Sequence, residues 1–126
     1  MKNSLFLQYD SCKNDSNRFL IFATNENLDL LSNFPNWYVD RTFDVPEMFT
    51  QMFTVHVIRK GKNLPCLYAL LPSKKEEAYN SVASFLKIHV KNEPRTLTLD
   101  FEMAITNAFL EEFEDCESYG CFFHFK

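Results

Sequence analysis

Asp40 and Asp100 each close a run that reads as a buried strand: Asn36-Trp37-Tyr38-Val39 before the first, Arg95-Thr96-Leu97-Thr98-Leu99 before the second. A carboxylate is rarely placed there for packing, because burying an unpaired charge is costly. If the two strands lie side by side, the acids converge into an oxygen-rich site of the kind that takes Mg²⁺ or Mn²⁺. Two such ions about 3.5–4 Å apart activate a water or hydroxyl and stabilise the leaving oxygen of a phosphodiester. A simpler reading stays open on spacing alone, with Asp100 a helix N-cap and Asp40 a strand-end turn residue.

The elements that must position these acids follow from the hydrophobic pattern. Residues 18–24 are β-rich, and Asn25 is placed to cap a short helix through Leu28, Leu30 and Leu31 that stops before Pro35. Strands are predicted at 36–43, 48–58 and 64–71, the second with Phe49, Gln51, Phe53, Val55 and Val57 on one face. The polar stretch 59–63 between the last two signals a hairpin, so the three form an antiparallel meander. Ser73-Lys74-Lys75-Glu76 has the capping-box pattern and opens a helix over 74–90, whose apolar positions are Tyr79, Val82, Ala83, Leu86 and Val90. A strand at 95–100, a helix bearing Phe101, Ala104, Ile105 and Ala108 on one face, and a short strand at 117–121 complete the order βββαβαβ. The fold class is therefore α/β: a mixed sheet of an antiparallel three-strand meander plus parallel strands, flanked by helices, with the fourth strand parallel to the first. Both aspartates then fall at the carboxyl ends of neighbouring parallel strands, where open α/β sheets gather ligands. Residues 1–35 form a lead-in strand and helix, and 36–126 the main unit.

Length and composition bound the answer. The 126 residues suit one domain with a real core, and 14 Phe, 5 Tyr and 1 Trp against 2 Gly make that core bulky. A net charge of −4 argues against this piece alone wrapping a nucleic-acid backbone, so contact with DNA would go through a metal bridge or other parts. Four scattered cysteines form no disulfide framework and no signal-peptide core is visible, which points to a reducing compartment, nucleus or cytosol. No apolar stretch approaches 18 residues, so no membrane span is expected.

Other chemistry-bearing residues are weaker. Cys121-x-x-His124, with Cys116 upstream, offers Zn²⁺ ligands, but a buried thiol beside a hydrogen-bonded histidine explains the pair equally well. His56 and His89 read as strand and helix surface residues. Trp37, Phe43, Phe49, Phe53, Phe85, Phe101, Phe109 and Phe113 follow strand and helix periods and are assigned to the core rather than to base stacking.

The series Trp37-Tyr38-Val39-Asp40-Arg41-Thr42-Phe43, Pro46, Phe49, Gln51, Phe53, Tyr68-Ala69-Leu70-Leu71, Tyr79, Asp100-Phe101-Glu102, Ala108 and Cys121-Phe122-Phe123-His124-Phe125 resembles the transposase domain of Mutator-like elements (MULE), from about residue 18 to the end. The resemblance implies an RNase H-like fold and a DDE-type site using Mg²⁺ or Mn²⁺, with Asp40 and Asp100 as the first two metal-binding carboxylates. It also implies DNA as partner, cleavage and strand transfer in DNA transposition, and nuclear location. Cys121 and His124 match a signature pair of the family.

Two departures qualify the expectation. The family commonly has glycine after its first aspartate; here Arg41 stands there and is expected to compete with a metal for Asp40. The family's third carboxylate lies on a helix beyond the Cys-x-x-His segment, whereas this sequence ends at Lys126, and Glu102 on a helix points about 200° away from Asp100. The expectation is an RNase H-like domain truncated at its C-terminus, not a competent nuclease by itself. Its Phe-rich end is open to a protein partner or self-association. The competing reading is a non-catalytic, domesticated interaction module that binds protein or DNA.

Overall fold

The computed structural model describes residues 6–11, 18–43, 45, 48–99 and 103–120. Ten elements follow one another: β1 (Phe6–Asp10), β2 (Leu20–Ala23), α1 (Asn25–Asn33), β3 (Asn36–Thr42), β4 (Gln51–Arg59), β5 (Lys62–Leu71), α2 (Glu76–His89), β6 (Thr96–Leu99), α3 (Met103–Glu112) and β7 (Glu117–Gly120). The strands form one mixed sheet in the order β1-β2-β5-β4-β3-β6-β7. The expected α/β architecture is present: β3, β4 and β5 are an antiparallel meander, β6 runs parallel to β3, and β7 runs parallel to β6.

The β4–β5 hairpin turns on Lys60 and Gly61, both at positive φ (53° and 79°), the two-residue geometry whose twist matches that of the flanking strands. Gly61 is used for its backbone freedom rather than for space, since nothing lies within 4 Å of where a Cβ would sit. Opposite Val55 and His56 the ladder slips, because β5 carries one extra residue around Pro65, which has no N–H to give.

One face of the sheet carries the helices. Alternation buries Gln51, Phe53, Val55 and Val57 of β4, Leu67, Ala69 and Leu71 of β5, Trp37 and Val39 of β3, and Leu97 and Leu99 of β6. On this face Phe53 meets Tyr79 of α2 and Phe109 of α3, with ring centroids 5.6 and 5.7 Å apart. Trp37 ties in α1: its indole N–H donates to the carbonyls of Leu31 and Phe34, 3.0 Å each, satisfying orphan groups at that helix's end. The same ring meets Phe113 edge-on.

Several boundaries differ from the sequence reading. β1 was not predicted; it pairs with β2, and β2 with β5, so the lead-in strands belong to the same sheet. The cap of α1 is Thr24, not Asn25: its hydroxyl accepts from the Asn27 N–H while the Asn27 side chain accepts from the Thr24 N–H. α2 opens at Lys75 without a side-chain cap, because the Ser73 hydroxyl instead accepts from the Lys75 N–H and tightens the preceding turn. Of the eight rings assigned to the core, Phe43 is 50% exposed, since β3 ends at Thr42 and the chain leaves the sheet there. Phe101 lies outside the described residues.

Candidate active site

Asp40 lies two residues before the end of β3. Because neighbouring strand residues face opposite sides, Asp40 shares the face opposite the helices with Tyr38 and Thr42, while Trp37, Val39 and Arg41 face the helices. Cross-strand pairing continues from Asp40 to Thr54 of β4, Tyr68 of β5 and Phe22 of β2, a row of half-buried side chains beside an exposed carboxylate. One carboxylate oxygen accepts from the Arg41 main-chain N–H at 2.9 Å, which limits the rotation of the acid.

β3 and β6 are adjacent and parallel, so their carboxyl ends share one rim with no strand between them. Their register pairs Tyr38 with Thr98, two residues before Asp40 on one chain segment and two before Asp100 on the other. Asp100 itself, Glu102, Cys121 and His124 lie outside the described residues. Among the described residues, no three His, Cys, Asp or Glu side chains gather into a metal-holding group.

His56 is a neighbour of Asp40 that the sequence did not single out. It stacks on Tyr38 at 5.6 Å between centroids, and β4 places it on the same face as the acid. Burial pulls its pKa below the ordinary value, and the negative charge of Asp40 works in the other direction. No spacing rule could have found it, because the contact depends on antiparallel register between segments joined by a loop.

The Arg41 side chain lies on the helix side, where the guanidinium donates to the Tyr79 hydroxyl at 3.4 Å, while its main-chain N–H donates to Asp40. Tyr79 also accepts from the Gln51 amide at 2.8 Å, and the same amide nitrogen donates to the Ser73 carbonyl at 2.8 Å. Gln51 is fully buried and its side-chain carbonyl oxygen has no partner among the described residues, an expense in an otherwise apolar face. These bonds fasten the start of β4 to the turn before α2, immediately behind the rim that carries Asp40.

Cys116 is buried, with its thiol pushed up to about 11, first by burial and then by Glu117 and Glu93. It is therefore a protonated thiol at neutral pH. His89 is exposed and bonds the Phe85 carbonyl of its own helix. Among the described residues no helix is long and apolar enough to cross a membrane.

Comparison with curated proteins finds no match. A family model does match: the MULE transposase domain aligns with residues 36–126, from the first residue of β3 through the meander and both later strands. That span takes in Asp40, Asp100, Cys121 and His124 and covers well over half of the sequence, so the chain belongs to the MULE transposase domain family.

Proposed function

We propose that this transposase-derived domain is a metal-dependent, DDE-type DNA strand-cleavage and strand-transfer core, acting in the nucleus, with Asp40 and Asp100 as two of its metal-binding carboxylates. The observation that carries the reading is the parallel adjacency of β3 and β6, with Asp40 exposed near the carboxyl end of the first and Asp100 the residue after the last of the second.

Asp40 suits a hard divalent cation. It is a solvent-facing carboxylate whose neighbours on the same face include the hydroxyl-bearing Thr54 and an imidazole whose pKa burial lowers. When bound there, Mg²⁺ or Mn²⁺ would supply Lewis acidity toward a phosphodiester. The protein's part is positioning. The Arg41 N–H holds the Asp40 carboxylate in one orientation, and the Gln51–Tyr79–Arg41 bonds stiffen the rim from behind. In-line attack by a water or a DNA 3′-hydroxyl gains most from such fixed geometry.

Mn²⁺ binding followed by electron paramagnetic resonance tests the assignment. Trp37 fluorescence would be a poor reporter, because that ring is buried on the opposite face. Wild type should take up Mn²⁺, and Asp40→Asn and Asp100→Asn should each lose it while keeping native circular dichroism. Unchanged Mn²⁺ uptake in folded Asp40→Asn would defeat the proposal. A folded wild type indifferent to Mn²⁺ would favour a non-catalytic interaction module instead.

A further inference from the structure

A cavity of about 380 Å³ lies between α2 and the β1–β2 edge of the sheet, on the helix side. Ile21 and Phe85 are its buried walls, and the rings of Tyr9 and Phe19, stacked with centroids 5.1 Å apart, stand across from the helix. The lining is mainly apolar, and the space suits an amino-acid side chain better than a large cofactor. Beside it stands Ile88, which is 75% exposed. Ile88 ends an outer stripe of α2 at helical spacing, after Glu77, Ser81 and Ser84, and away from the buried Tyr79, Val82, Ala83 and Leu86. Folding of one chain therefore leaves this aliphatic side chain in water, and covering it is favourable.

We propose that α2 is the contact through which two copies of this chain pair about a two-fold axis, each Ile88 entering the cavity of the other copy. The proposal stands apart from the metal reading, since it uses none of the groups beside Asp40.

A two-fold interface is complementary to itself, so one patch has to carry both a projecting side chain and the place that receives it. This patch has both, Ile88 and the cavity next to it. Charge follows the same rule. The first turn of α2 is acidic, with Glu76 and Glu77, and its last turn is basic, with Lys87 and His89, Lys91 following just past the helix. Within one chain Glu76 accepts from Asn107 and Lys87 pairs with Glu93. Among the described residues Glu77 and Lys91 join no ion pair, and both are exposed. With the two helices antiparallel and the axis beside Ser84, residues equally spaced about position 84 face each other. Ile88 then stands opposite Asn80 of the second copy, which lines the cavity, and Glu77 opposite its Lys91. One register satisfies the apolar fit and the charge fit together, whereas parallel helices would set acidic turn on acidic turn. An unrelated protein would need only the cavity. The projecting side chain and the two opposite charges on the same patch match a second copy.

Sedimentation velocity of the full chain over a series of concentrations, with circular dichroism to verify folding of each variant, tests the pairing. Wild type should dimerise. Ile88→Glu should raise the dimer Kd at least about a hundredfold, because symmetry removes two buried side chains at once. Glu77→Lys and Lys91→Glu should each weaken pairing roughly threefold to tenfold, and the double variant should return to within about twofold of wild type, a rescue that a role within one chain would not give. Wild type that stays monomeric up to about 1 mM would overturn the proposal, including the case in which its cavity takes up another protein instead. A dimer that survives Ile88→Glu unchanged would also overturn it by placing the contact on another face, and a double charge variant no better than the single ones would overturn the antiparallel register.

Discussion

Trp37→Phe tests whether the two faces of the sheet divide stability from site. The indole is fully buried, its N–H serves two carbonyls at the end of α1, and its ring packs edge-on against Phe113 at 5.5 Å. Phenylalanine keeps a ring but removes the donor, leaving carbonyl oxygen short of a partner at a cost of about 1–3 kcal/mol. It also removes about three heavy atoms of buried surface, worth roughly 2 kcal/mol. The sum is about 3–5 kcal/mol, a large share of a typical domain's stability. For 126 residues the entropy of unfolding is about 0.26 kcal/mol/K, so Tm should fall by about 12–19 °C. Thermal melting by far-ultraviolet circular dichroism measures the shift, because the variant has lost the only tryptophan. At low temperature, where the variant is still folded, its Mn²⁺ uptake should equal that of wild type, since Asp40 lies on the opposite face. A fall in Tm of no more than about 8 °C, which the lost surface alone accounts for, would refute the hydrogen-bond argument. Loss of Mn²⁺ uptake in the folded variant would refute the division between faces.

His56 carries a pH dependence. Its pKa is lower in the folded protein than in the unfolded chain, so between the two values the unfolded chain holds more protons and stability falls as pH drops through that window, below about 6.5. Replacing it with glutamine should flatten urea-unfolding stability between pH 7 and 5. Asp40→Asn should lower the His56 pKa further in an NMR titration, because the acid's charge is what opposes the effect of burial; a rise would contradict the shared face. The thiols of Cys66 and Cys116, pushed up to about 12 and about 11, should resist iodoacetamide at pH 8 until the protein is unfolded, as peptide mapping would reveal.

The meander and the helices were legible because each rests on local information, and the pairing of β3 with β6 because a strand–helix–strand crossover has one preferred hand. Period-two alternation in Gln51–Val57, the Lys60-Gly61 turn and the helical spacing of Tyr79, Val82, Ala83 and Leu86 are written in short stretches of chain. The place of Asp40 near the end of a strand was legible too, as a charge closing an apolar run. Other features depend on which distant segments meet. β1, reading Phe-Leu-Gln-Tyr-Asp, is too short for a period to announce it and is a strand because β2 offers it an edge. Capping passed to Thr24 and withdrew from Ser73 because turn geometry, not residue type, decides which N–H a hydroxyl reaches. His56 stands on the face of Asp40, and Lys74 over Phe43, only through cross-strand register and the Gln51 tie to the turn before α2. Sequence alone thus determined the elements and their hydrophobic faces, since these follow from local periodicity. Tertiary structure decided which polar groups share a rim, because such contacts are set by strand order and register between residues tens of positions apart.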